Sequence, residues 1–165
     1  MSVTVFYKEQ LNELSNLASN NPRLRAHLNL HKSYQDKIQR ILISLKRGTY
    51  IPPHYHKYDH QWEHFQVIEG IVDLYIFNNS GTVLDIINLG NVNGALFAQI
   101  EPYTIHTLVC RSPYAYVIEI KEGPFVEAEA KIVPSWVYPE GCREYLRSDI
   151  VSMLETLKIN EVYKL

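Results

Sequence analysis

The chain has 165 residues, with 16 Lys and Arg against 18 Asp and Glu, for a formal charge of −2 at pH 7. That length suits a single domain, and a core of that size needs no disulfide staples. So even a balance argues against a nucleic-acid partner or a polybasic membrane contact, because a phosphate surface calls for clustered Lys and Arg. Cys110 and Cys142 lie far apart and form no C-x-x-C, so they read as free thiols of a reducing compartment. No basic segment leads into an apolar run as a secretory signal would, and no apolar stretch approaches the ~18 residues of a membrane span. A cytoplasmic location is expected.

Leu11, Leu14, Leu17 and Ala18 recur at helical spacing, which predicts a short amphipathic helix over residues 8–19, ended by Asn20, Asn21 and Pro22. From Arg23 to His31 the period becomes two. Arg23, Arg25, His27, Asn29 and His31 form one polar face, opposed by Leu24, Ala26, Leu28 and Leu30. Ser33 to Asp36 reads as a turn. Eight β-rich runs follow: 37–46, 50–56, 62–69, 71–77, 83–89, 95–100, 104–110 and 114–120. Gly, Pro, Asn and Ser clusters separate them, with no helix between, which predicts an all-β antiparallel sandwich or barrel. Trp136 and Tyr138 are expected to anchor an irregular segment after Pro124. Ile150, Val151, Met153, Leu154 and Leu157 predict a C-terminal helix packed on the barrel. One domain over residues 1–165 is expected, with an N-terminal extension at 1–36, a barrel core at 37–123 and a C-terminal segment at 124–165.

The chemistry concentrates between Gly48 and Gly70, where the chain reads Gly48-x5-His54-x-His56-x6-Glu63-x6-Gly70. Two histidines at i and i+2 on a strand share a face. Glu63 is expected to open the next strand of the same hairpin, and His106 follows a Pro102 turn. Imidazole nitrogens with a carboxylate suit one borderline divalent ion, Mn, Fe, Co, Ni, Cu or Zn. Four protein ligands would leave positions open for water or substrate.

At these residues the chain resembles the cupin superfamily, whose first motif is G-x5-H-x-H-x3-4-E-x6-G. The His–Glu gap here holds six residues. The second motif, G-x5-P-x-G-x2-H-x3-N, is matched less closely: Pro102 stands one residue nearer to His106, Thr104 lies near the glycine position, and Cys110 replaces the asparagine. A narrower resemblance, to the WbuC-type cupin-fold metalloproteins, rests on NPRLRAHLNLH from Asn21, IQRILISLKRGTYIPPHYH from Ile38, WEHFQVIEG from Trp62, EIKEGPF from Glu119 and SWVYPEG from Ser135. It implies a cupin double-stranded β-helix (an antiparallel jelly-roll barrel) with short N- and C-terminal helices. The metal would be held by His54, His56, Glu63 and His106. The resemblance also implies a link to O-antigen or surface-polysaccharide metabolism, without implying a reaction. By analogy with barrels that pair through sheet edges, a homodimer is expected.

Secondary candidates surround this set. The polar face with Arg23, Arg25 and His31 is either a solvated edge or the lining of the barrel mouth, where guanidinium forks would pair with carboxylate or phosphate. Tyr103 and Glu101, beside the His106 turn, are candidates for proton transfer. Cys110 shares strand parity with His106 but reads as core, His60 as a loop residue, and His64 as pointing away from the metal. Two functions compete. One is a metal-dependent enzyme on a small oxygen-rich substrate such as a sugar, sugar nucleotide or sugar acid, with isomerase, epimerase and dioxygenase chemistry open. The other is a non-catalytic binding or sensing barrel.

Overall fold

The computed structural model describes residues 3–165. After helix α1 (Lys8–Asn20) come strands β1 (Arg25–Asn29), β2 (Ile38–Lys46), β3 (Glu63–Glu69), β4 (Val72–Phe77), β5 (Val83–Leu89), β6 (Ala98–Ile100), β7 (Ile105–Cys110) and β8 (Tyr114–Glu122). A 3-10 turn (Glu127–Glu129) and helix α2 (Arg147–Thr156) complete the chain. All strand pairs are antiparallel, in a five-stranded sheet ordered β1-β2-β8-β3-β6 and a three-stranded sheet ordered β5-β4-β7.

The period-two pattern explains how the sheets stack. Along β7, His106, Leu108 and Cys110 face the space between the sheets, where Leu108 and Cys110 join Leu45, Phe65, Leu74 and Val117 in one core. Ile105 and Val109 face the other way and pack with Tyr75, Phe77, Ile150, Leu154 and Leu157, so α2 covers the outer face of the three-stranded sheet. Trp136 stacks near Phe77 and Tyr163, and Tyr138 near Tyr145 and Tyr163, which fastens the irregular segment as expected. Helix α1 packs on β1 and β2 through buried Leu14 and Ala18, whereas Leu17 points to solvent at 64% exposure.

One expected strand is absent. Residues 50–56 form isolated bridges, His54 to His106 and Tyr55 to Ile132. Pro52 and Pro53 lack the amide hydrogens a ladder requires, so pairing begins only at His54. No helix of the described residues is long and apolar enough to cross a membrane.

Candidate metal centre

His54 and His106 are joined backbone to backbone. His54 N–H donates to His106 O at 3.0 Å and His106 N–H donates to His54 O at 2.9 Å. This pairing sets their rings 4.7 Å apart, centroid to centroid. His56 follows two residues later, held where its carbonyl accepts the Tyr103 N–H at 2.7 Å. Glu63 does not belong to a hairpin with these histidines, contrary to expectation. It opens β3, whose partners are β6 and β8, and so reaches the cluster from the opposite sheet. The ligand atoms of His54, His56, Glu63 and His106 all lie within 4.8 Å of one another.

The hydrogen bonding leaves these atoms facing inward without partners. Each Nδ1 sits against a main-chain carbonyl: His54 on Pro52 O at 2.9 Å, His56 on Ala130 O at 2.5 Å, and His106 on Thr104 O at 2.9 Å. A carbonyl only accepts, so Nδ1 carries the hydrogen and Nε2 is a bare lone pair, the tautomer that a metal-bound histidine adopts. His56 Nε2 and His106 Nε2 stand 2.9 and 3.0 Å from Glu63 Oε2. All three atoms are nevertheless buried without an aligned hydrogen bond. Two ligand atoms held ~2.1 Å from one ion at a right angle are ~3.0 Å apart, so the spacing and the orphaned lone pairs both fit a divalent cation.

Electrostatics agree. Burial pushes His54 well below the ordinary imidazole value, and His106 adds to the shift. Burial alone would raise Glu63, but the His106 and His56 rings and the Lys121 ammonium outweigh it and hold the carboxyl well below its usual range. Burial would likewise lower His106, but Glu63 beside it lifts it above 6.5. The Glu63 carboxylate thus favours positive charge at the point where a cation would sit.

The cluster opens into a cavity of about 570 Å³ between the sheets. Ile41, Ile43, Ile51, Phe65 and Leu108 give it an apolar floor. The polar face of β1 lines its mouth with Arg23, Arg25, His27, Asn29 and His31; Arg25 and His31 are buried there, while Arg23, His27 and Asn29 stay exposed to solvent. Arg25 is 4% exposed and held on both sides of Glu140, at 2.9 Å to Oε1 and 2.9 Å to Oε2, with further bonds to Tyr50 O and Thr49. Arg23 shares Glu140 at 3.1 Å. Burial, then Arg25 and Arg23, push His27 down to about 4, which leaves it neutral near pH 7.

Tyr103 and Glu101 are not brought into this cavity. Both are exposed on the β6–β7 turn, with Tyr103 donating to Asp59 and Glu101 accepting from Gln99. Cys110 is buried in the core, where burial pushes its thiol up to about 11. His60 is exposed and stacks on Tyr58, and His64 packs against Phe97 away from the cluster.

Four cavity residues escaped the sequence reading. Lys121 lies 2.7 Å from Glu119 and 3.6 Å from Glu63, and burial is outweighed there by Glu119 and Glu63, which raise its pKa. Lys131 lines the cavity, its pKa lowered by burial and then by Arg25 and Arg23. Gln39 is 1% exposed. The alternation Glu119-x-Lys121 was visible in the sequence, but its link to Glu63 depends on a β3–β8 register that no local signal fixes.

Solved structures share this architecture. Oxalate oxidase, solved with the substrate analogue glycolate, matches at TM-score 0.51 and 14% identity over 69% of this chain and 57% of its own. Oxalate decarboxylase from Bacillus subtilis matches at TM-score 0.50 and 15% identity over 66% of this chain and 27% of its own. An RmlC-like cupin family protein with a double-stranded β-helix fold, from Methanocaldococcus jannaschii, matches at TM-score 0.46 and 16% identity over 62% of this chain and 84% of its own. The chain therefore spans little more than half of the oxidase and about a quarter of the decarboxylase. No curated protein sequence matches it. The two facing antiparallel sheets form the double-stranded β-helix fold that the oxidase and the decarboxylase share, and the histidine–glutamate cluster between them could hold a metal. Within that class, the chain belongs to the family described as Domain of unknown function (DUF6016), whose model matches residues 6–89.

Proposed function

We propose that this cupin is a metal-dependent enzyme acting on a small, oxygen-rich anion such as a sugar acid or an activated sugar. The observation that carries the reading is the set of three Nε2 lone pairs, fixed by main-chain carbonyls and converging with Glu63 at the end of a large cavity. A closed structural site would have no such opening. His54, His56, Glu63 and His106 would hold one transition-metal ion, Mn, Fe, Co, Ni, Cu or Zn. When bound, that ion supplies Lewis-acid polarisation of a carbonyl or hydroxyl oxygen.

The chain's own groups do the rest. Arg23 at the mouth and Lys131 on the side near His54 make the cavity cationic and draw in a carboxylate or phosphate. Arg25, saturated by Glu140, sets the field and fixes the mouth. The apolar floor excludes water from the reacting end. Glu119, which lines the cavity beside the Lys121 ammonium, would accept and return a proton; Tyr103 and Glu101 do not line it. The resemblance to the WbuC-type proteins supports a role in surface-polysaccharide metabolism in the cytoplasm.

Calorimetry on metal-loaded protein, with a panel of sugar nucleotides, sugar acids and 2-oxo acids, tests the proposal when followed by product analysis. Conversion of at least one bound compound is expected. Binding that persists without turnover across the panel would favour a sensing barrel instead.

A further inference from the structure

Two polar atoms in the wall of this cavity have no partner among the described residues, and neither belongs to the metal cluster. His31 is 7% exposed and Gln39 1% exposed, and both line the cavity. His31 Nε2 and Gln39 Oε1 are buried and unbonded.

The neighbouring hydrogen bonds determine what each atom offers. His31 Nδ1 lies 3.0 Å from Arg40 O, which already accepts the Leu30 N–H at 2.8 Å, and 3.1 Å from the Arg40 N–H, a fixed donor that a hydrogen on Nδ1 would meet head-on. Nδ1 therefore accepts, which puts the imidazole hydrogen on Nε2 and makes that atom a donor. Gln39 Nε2 donates towards three carbonyls, Asp36 O at 2.6 Å and Ser33 O and Tyr34 O at 3.3 Å each. That arrangement fixes the amide, so Oε1 is an acceptor. The register that pairs Asn29 with Ile41, carried on through the Leu30 N–H to Arg40 O bond, sets His31 opposite Gln39. A buried donor and a buried acceptor left unpaired are each costly, and two of them on cross-strand neighbours in one cavity wall call for an occupant that satisfies both.

We infer that His31 and Gln39 form a hydroxyl-binding subsite, and that the ligand is a polyhydroxylated carboxylic acid spanning from this pair to the metal centre. The inference rests on the metal reading above. A hydroxyl accepts from His31 and donates to Gln39 at once, whereas a carboxylate would face the Gln39 oxygen with another acceptor. Tyr34 and Phe125, with rings 5.2 Å apart, add an apolar wall suited to the C–H face of a sugar chain. The span fits as well. Glu63 is opposite Lys121, and Lys121 is opposite Gln39. At about 4.8 Å per strand, Gln39 stands roughly 10 Å along the sheet from Glu63, with His31 beyond it. An extended six-carbon chain with its end oxygens covers about 8–9 Å at ~1.2 Å per bond. With a metal–oxygen bond of ~2 Å and a hydrogen bond of ~2.8 Å the reach is about 13 Å, enough to pass Gln39 and approach His31 one strand further on.

The test compares two probes on the full, metal-loaded chain. Glycolate carries the metal-binding head alone, and gluconate carries the same head with a polyol tail. Calorimetry should show gluconate binding at least ten-fold more tightly to the wild type. His31→Asn keeps an acceptor for the Arg40 N–H but removes the ε donor. It should bring the two probes to within two-fold while glycolate affinity and metal content hold. His31→Gln, which restores a polar group near the ε position, should recover part of the preference. Equal affinities in the wild type, as expected if the pair serves only a bound water, would overturn the inference. So would a wild-type preference retained in His31→Asn. Wild-type protein that takes up no metal before any probe is added would instead overturn the metal reading.

Discussion

Glu63 and His106 stand on opposite sheets and meet with Oε2 and Nε2 3.0 Å apart. A pair that bridges the two layers of a barrel ties the chemistry of the site to the packing of the core. Both side chains are nearly inaccessible, at 3% and 1% exposure, so the position of each is set by the sheet that carries it. Features that hold the sheets in register should therefore matter to the site without touching it.

Gly70 is one such feature. It turns the chain from β3 into β4 at φ +91°, and a Cβ there would meet Tyr114 O at 2.4 Å and the Ala115 Cα at 2.8 Å. Both neighbours are main chain and have little room to yield. Gly70→Ala is expected to cost at least ~2 kcal/mol through backbone strain and overlap, read as a lower urea midpoint with an unchanged slope. A midpoint within error of wild type would show that the turn adapts.

Much of this was legible in the sequence, and what was not has a common cause. The spacing from Gly48 to Gly70 brought His54, His56 and Glu63 together as one cluster, and the alternation from Arg23 to His31 put the polar face in one plane. Local patterns report faces and turns. They do not report which strands become neighbours, so Glu63 was assigned to a hairpin with the histidines when it arrives from the other sheet. Lys121 and Gln39 were missed for the same reason, since each enters the site only through its cross-strand partner.

Glu140, from the C-terminal segment, pairs with Arg25 and Arg23 of the cavity mouth. Burial would raise its pKa, but Arg25 and Arg23 outweigh that and hold it below 4.5. A depressed folded-state value means that its contribution is fully present above the unfolded value and is lost as pH falls through the folded one. Stability from this pair should thus decline below pH 4.5. Glu140→Gln leaves the Arg25 charge buried without a counter-ion and is expected to cost about 1.5–3 kcal/mol at pH 7. The variant's deficit should shrink in acid. A deficit that stays constant from neutral pH into the acid range would show that the ion pair is not its source.

Lys131 has a different expected signature. It reaches the cavity from the loop that bridges Tyr55 to Ile132, close enough to depress His54. Lys131→Ala should weaken glycolate and gluconate alike by roughly ten-fold, the loss of one charge-assisted contact. His31→Asn should spare glycolate. Titrations of both probes into both variants separate the two ends of the cavity. An unchanged glycolate affinity in Lys131→Ala would remove that lysine from the recognition of the acid head.

Metal content of the purified chain bears most directly on the account. Elemental analysis of wild-type protein prepared without chelator, or stripped and reloaded, should find about one Mn, Fe, Co, Ni, Cu or Zn per chain and no Ca, as expected for a nitrogen-rich ligand set. His54→Ala and His56→Ala should each lose tight binding while the far-ultraviolet circular dichroism keeps its β signature, because the core is built by other residues. Wild-type protein with no bound transition metal even after reconstitution, or both variants retaining wild-type metal affinity, would contradict the assignment.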